Sequence, residues 1–166
     1  MRKHNGIRRF LFPSFNRNYI IRLLLVAVSA YLLFAHAFIP FKIRGRSMEP
    51  TYMDGGLNFC QRLKYLFSEP MRYDVVAVRF AGKKVMLLKR VVALAGETVE
   101  FRQGKLFIDG NEIREDYIQY PCNWDLPPRR VENGRVYVVG DNRDIAIERH
   151  DFGQTSISRI MGTPLW

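Results

Sequence analysis

Histidine is scarce in this chain. There are three in all, and only His150 lies beyond the long apolar stretch near the N-terminus. A serine nucleophile therefore has almost no imidazole to serve as its base, and no Ser-His-Asp spacing stands out. The Gly-x-Ser-x-Gly elbow is absent too, because Gly45-Arg46-Ser47-Met48-Glu49 lacks the second glycine. There is no internal repeat, no low-complexity tract and no sustained helical period outside the apolar stretch. The composition, 48% hydrophobic and 13% aromatic, excludes wholesale disorder. Acidic residues are missing before residue 23, where Arg2, Lys3, Arg8, Arg9, Arg17 and Arg22 stand. Those six carry most of the net charge of +10, because the other 20 basic residues face 16 acidic ones. The excess that would suggest nucleic-acid binding is thus an N-terminal block, and no nucleic-acid partner is expected.

Leu23 to Ile39 contains no Asp, Glu, Lys or Arg. As a helix it spans about 25 Å, and its flanks 19–22 and 40–41 extend it toward the roughly 30 Å of a bilayer's hydrocarbon core. A cleavable signal peptide has the same outline. However, this stretch is longer than a usual signal core, and its bulky end, His36-Ala37-Phe38-Ile39-Pro40, offers no small-x-small site. The expectation is a cytoplasmic basic segment over 1–18, a transmembrane helix over 19–41 and an extracytoplasmic domain over 42–166, oriented by the positive-inside rule. The two cysteines, Cys60 and Cys122, could pair there. A bridge would close a loop of about 60 residues and add about 4 kcal/mol. Two separate thiols are the other reading, and the favoured one.

Beyond Pro40 the pattern is one of short strands. Tyr73 to Phe80 and Lys84 to Leu94 read as a hairpin about Ala81-Gly82-Lys83. Thr98 to Arg102 and Lys105 to Ile108 read as a second, turning at Gln103-Gly104. Asp109-Gly110 marks another turn, and Asn111 to Gly134, with Pro121, Pro127 and Pro128, reads as a surface excursion. Arg135 to Val139 is a strand that runs into Gly140-Asp141-Asn142-Arg143-Asp144. The external part is expected to be mainly β.

A serine hydroxyl needs a base to become a nucleophile. With histidine lacking, lysine is the candidate, provided it can be neutral. Apolar surroundings penalise an ammonium, and Lys89 has Leu87, Leu88, Val91 and Val92 as near neighbours. On a strand Lys89 shares a face with Leu87 and Val91, while Arg90 points to the other. Ser47 follows the apolar stretch closely, which would hold it near a bilayer. The bland reading remains beside this one: a serine in a loop or cap, and a lysine on the wet face of a sheet.

Ser47-Met48-Glu49-Pro50-Thr51 resembles the Ser-Met-x-Pro-Thr box of type I signal peptidases, the membrane-bound Ser/Lys proteases. The run from Lys89 to Glu97 resembles their Lys-Arg box, and Gly140-Asp141-Asn142-Arg143-Asp144 their Gly-Asp-Asn-Arg-Asp box. Tyr73-Asp74-Val75-Val76 is similar to their Gly-Asp-Val-Val strand. The resemblance implies a signal-peptidase-like fold of two antiparallel β-sheets behind one transmembrane helix, in the bacterial inner membrane. It implies an endopeptidase acting on exported preproteins with Ser47 as nucleophile and Lys89 as base, without metal or cofactor. Met48 and Leu88 would line the pocket for a small side chain, with core packing as the plainer alternative. Arg90, Asp141, Asn142, Arg143 and Asp144 would support the site. Gly45 stands where some members carry a second hydroxyl donor to the oxyanion.

Departures from the pattern cluster after Asp144. Ala146 replaces a serine that in the family hydrogen-bonds the lysine. Glu148 and His150 replace an Asp and an Arg, and Arg143 is a candidate partner for Glu148. Gly56 replaces an acidic residue. These changes leave two alternatives open: a peptidase dedicated to pilin or another conjugative-transfer substrate, or a catalytically weakened binding paralogue.

Overall fold

The computed structural model describes residues 16–79, 86–120, 122–149 and 153–166. It divides into two units, residues 1–37 and residues 38–166. The first contains helix α1, Arg17–Ala37. Asn16 caps it, its side-chain oxygen accepting the Tyr19 N–H at 2.8 Å, as short polar residues do at helix starts. Arg17–Ala37 is long and apolar enough to cross a membrane. It stops four residues short of the expected 41, because Pro40 cannot donate to a helix and biases Ile39 toward extended backbone. Phe38–Lys42 is instead strand β1.

The second unit is mainly antiparallel β. Strands β2 (Leu57–Gln61), β3 (Val75–Arg79), β4 (Met86–Ala93), β9 (Arg135–Val139), β10 (Gly153–Ser156) and β11 (Ile160–Pro164) join β1 in one sheet. Its order is β1-β2-β11-β3-β4-β9-β10. Strands β5 (Thr98–Arg102), β6 (Lys105–Ile108), β7 (Asn111–Ile113) and β8 (Leu126–Arg130) form the other, in the order β7-β6-β5-β8. A single helical turn, α2 (Lys64–Phe67), connects β2 toward β3.

The β5–β6 hairpin turns where expected, with positive φ at Gln103 and Gly104. Only glycine serves at 104, since a Cβ there would come within 2.0 Å of the Cys122 carbonyl oxygen. The expected turn at 81–83 lies outside the described residues. The segment 111–134 is more than a surface excursion. It contributes β7, β8 and the buried side chains of Trp124, Leu126 and Val131. Pro127 and Pro128 are compatible with pairing because β8 is an edge strand, with β5 as its one partner in the sheet order.

Central strands β3, β4 and β9 are covered on both faces, so they read as nearly continuous apolar runs rather than alternating ones. Val76, Val78, Val91, Val136 and Val138 form one cluster, and Ile43, Met48, Cys60, Ala77 and Leu88 another. A third joins the small sheet to the ends of β4 and β9 through Val92, Phe101, Leu106, Trp124, Tyr137 and Val139. Cys60 and Cys122 are separate free thiols.

Candidate active site

Two features of the topology bring the three sequence boxes together. Strand β4, which carries Lys89 and Arg90, lies beside β9, with Arg90 opposite Val139. The chain leaves β9 directly into Gly140-Asp141-Asn142-Arg143, so this turn emerges next to Arg90. The Ser47 box lies in the long connection from β1 to β2, which closes on itself. Ile43 N–H donates to the Gly56 carbonyl at 2.8 Å and Gly55 N–H to the Ile43 carbonyl at 3.0 Å. Asp54 accepts the Gly45 N–H at 2.8 Å. Gly56 is itself tight, since a Cβ there would sit 3.1 Å from the Met53 carbonyl oxygen.

Lys89 is 2% exposed and stands across the β3–β4 ladder from fully buried Val76. Its Nζ donates to Ser47 Oγ at 3.0 Å. That separation is within the hydrogen-bond reach expected of a nucleophile and its base. Ser47 is half-buried, and Met48, next in sequence, is 1% exposed.

The third box fastens both sides of this pair. Asn142 latches the serine loop: its backbone N–H donates to the Ser47 carbonyl and its Nδ2 to the Arg46 carbonyl, each at 3.0 Å. Asp141 is fully buried and accepts Arg90 Nε at 2.8 Å, Arg90 Nη2 at 2.5 Å and the Thr51 hydroxyl at 2.6 Å. The residue after Lys89 and the end of the serine box are thus tied to one carboxylate. Burial pulls the Arg90 pKa down, but the bond to Asp141 and its charge more than offset this and leave it raised.

Of the expected supporting residues, Arg90, Asp141, Asn142 and Arg143 meet here. Asp144 is exposed and takes no part in these bonds. Met48 and Leu88 share one buried cluster with Ala77 and Cys60. Arg143 does not pair with Glu148. It is 1% exposed and forks onto Glu115, at 2.6 and 3.0 Å, while Glu148 lies exposed in a turn after Ile145. Ala146 is exposed as well, and His150 lies outside the described residues.

Sequence reasoning missed Glu115 and Tyr117. The Tyr117 hydroxyl donates to Glu115, and its ring lies 4.0 Å from the Arg90 guanidinium carbon. The one available signal was general: an arginine in a turn between buried strands needs a carboxylate.

A sequence model of the family described as signal peptidase, peptidase S26, matches residues 16–165. A probable signal peptidase I-1 of a Synechocystis strain is 34% identical over 155 residues, covering 88% of this chain and 79% of the relative. Signal peptidase I of Bacillus amyloliquefaciens is 32% identical over 152 residues, covering 84% and 79%. Thylakoidal processing peptidase 1 of Arabidopsis thaliana is 32% identical over 150 residues, and the match spans 82% of this chain but 44% of that longer protein. Among solved structures, a signal peptidase I from Enterococcus faecalis aligns with TM-score 0.49 at 26% identity, over 58% of this chain and 97% of that one.

Proposed function

The chain belongs to the signal peptidase family, peptidase S26, and is a serine peptidase that cleaves signal peptides; from that premise we propose that Ser47 is its nucleophile and Lys89 its general base. The observation that carries this reading is the 3.0 Å approach of a buried lysine nitrogen to the serine oxygen. Lys89 takes the hydroxyl proton as Ser47 Oγ attacks the scissile carbonyl. The Ser47 backbone N–H donates to the oxyanion, with no side-chain hydroxyl at Gly45 to assist. The resulting ammonium returns its proton to the leaving amine, and water then clears the acyl-serine with Lys89 again as base. Met48 and Leu88, neighbours in one buried cluster, are the residues assigned to the small side chain ahead of the cleaved bond, and Arg90, Asp141, Asn142 and Arg143 hold the serine loop and the turn after β9.

The substrates are exported preproteins. The basic segment ahead of α1 stays in the cytoplasm, α1 crosses the bacterial inner membrane, and residues 38–166 act on its far side, where the cleavage site of a translocating chain emerges from the same bilayer. The basic residues ahead of α1 support that orientation. A cleavage panel tests the function. The full-length chain in detergent micelles is expected to cut several exported preproteins after Ala-x-Ala sites. Cutting of one alone would narrow it to a dedicated processing peptidase. Cleavage of none would sink the reading in favour of a binding paralogue.

A further inference from the structure

The Arg143–Glu115 pair is the most deeply buried ion pair among the described residues, with side-chain exposures of 1% and 8%. Burying such a pair gives little net stability over an apolar one, so its place in the fold calls for another account. Glu115 lies just beyond β7, far in sequence from the three boxes, yet it reaches both sides of the candidate dyad. On one side its two oxygens accept Arg143 Nη2 at 2.6 Å and Nη1 at 3.0 Å, while Arg143 Nε donates to the Gly140 carbonyl at 2.8 Å. This fixes the turn whose next member, Asn142, latches Ser47 and Arg46. The guanidinium also packs 5.2 Å from the Phe101 ring and 5.7 Å from that of Trp124. Trp124 Nε1 in turn pins the far end of the turn at the Ile145 carbonyl, at 3.1 Å. On the other side Glu115 accepts the Tyr117 hydroxyl. The Tyr117 ring supports Arg90, which neighbours Lys89 and forks onto Asp141.

We propose that Glu115 is a positioning residue for Ser47 and Lys89: one carboxylate holds Arg143 and Tyr117 together, and so sets the Gly140–Arg143 turn on the serine loop and Arg90 on Asp141. The inference rests on the dyad reading above. It also explains how the segment 145–149 can depart from the family pattern, because the brace for Arg143 comes from a different part of the chain.

The test uses the full-length chain in detergent micelles with Glu115→Gln and the double variant Glu115→Leu/Arg143→Met. It measures Tm, kcat and KM on a signal-peptide substrate. A separate arm follows the alkylation rate of the thiol introduced by Ser47→Cys, with and without Glu115→Gln, resolved from Cys60 and Cys122 by peptide mapping. Glu115→Gln is expected to lower kcat by about 100-fold, the cost of roughly 1 Å of misplacement, with KM little changed, and to slow alkylation at position 47. The double variant removes both charges, so its Tm is expected near that of the parent while kcat stays low. Parental kcat in Glu115→Gln, or kcat recovered together with Tm in the double variant, would overturn the proposal. If Glu115→Gln does not fold, the double variant decides. If the unmodified chain cleaves nothing, the peptidase reading fails separately and alkylation decides: a slower rate upholds the role of Glu115, and an unchanged rate ends it.

Discussion

Asp141→Asn isolates one carboxylate at the junction of the three boxes. Asp141 accepts three bonds with no exposure, two from Arg90 and one from Thr51. An asparagine fills the same volume but has one accepting oxygen. With that oxygen at either position, an NH2 group faces a guanidinium N–H, and Arg90, 11% exposed in its side chain, loses its counter-charge. Removing one partner of a buried pair costs about 3–5 kcal/mol. Arg90 keeps its bond to the Tyr73 carbonyl at 2.9 Å and its place against Tyr117, which favours the lower end, about 3 kcal/mol. At about 4 °C per kcal/mol for a domain of this size, Tm should fall by about 12 °C. The assay is thermal unfolding of the full-length chain in detergent, run as a double-mutant cycle with Arg90→Met. Strong coupling is expected, because the damage of Asp141→Asn lies in the charge left behind. A loss below about 1 kcal/mol, the worth of an exposed pair, or additive single variants, would refute the reasoning.

Two further outcomes follow from buried or paired groups elsewhere. Cys60 is fully buried and its thiol is pushed up to about 11 by burial, so iodoacetamide at mildly alkaline pH should label half-buried Cys122 first and reach Cys60 only on unfolding; mass spectrometry showing rapid Cys60 labelling of the folded chain would contradict its placement. Burial pushes the Asp74 carboxyl upward, but Lys64 Nζ at 2.7 Å, the Met71 N–H at 2.9 Å and the Tyr65 hydroxyl at 3.0 Å outweigh it and hold its pKa below the ordinary 3.8. Its contribution is therefore complete above the unfolded value and lost as pH falls through the folded one. Asp74→Asn should lower stability at neutral pH and flatten its decline below about pH 4, measured by urea unfolding across pH; an unchanged acid limb would show that Asp74 is not held this way.

The fold was legible where chemistry is local. Strands β5, β6 and β9 carry their own β-rich residues and turn signals, and their bounds match the sequence pattern. Strand β1 was not visible, because Phe38 to Lys42 continues the apolar run of α1 and only pairing with β2 distinguishes it. Strand β8 was hidden by Pro127 and Pro128, which argue against a strand unless it is known to lie at an edge. The family was readable from three boxes in order, since each sits in a short contiguous stretch. What joins the boxes was not. The partner of Arg143 stands in a polar segment between β7 and β8, and nothing near Glu115 marks it as buried. Glu148 was a natural candidate by proximity in sequence, yet the turn after Ile145 carries it into solvent, while the same turn leaves Arg143 facing inward toward Phe101, Trp124 and Glu115.

The central claim is that Ser47 and Lys89 act as one unit, and the most direct measurement is the cleavage rate of Ser47→Ala, Lys89→Met and the double variant on one signal-peptide substrate. The account predicts that each single variant loses at least the roughly 10²–10⁴-fold that a positioned base supplies. It also predicts that the double variant is no slower than the worse single one, as for residues that work together. Parental activity in either single variant, with the protein folded, would contradict it.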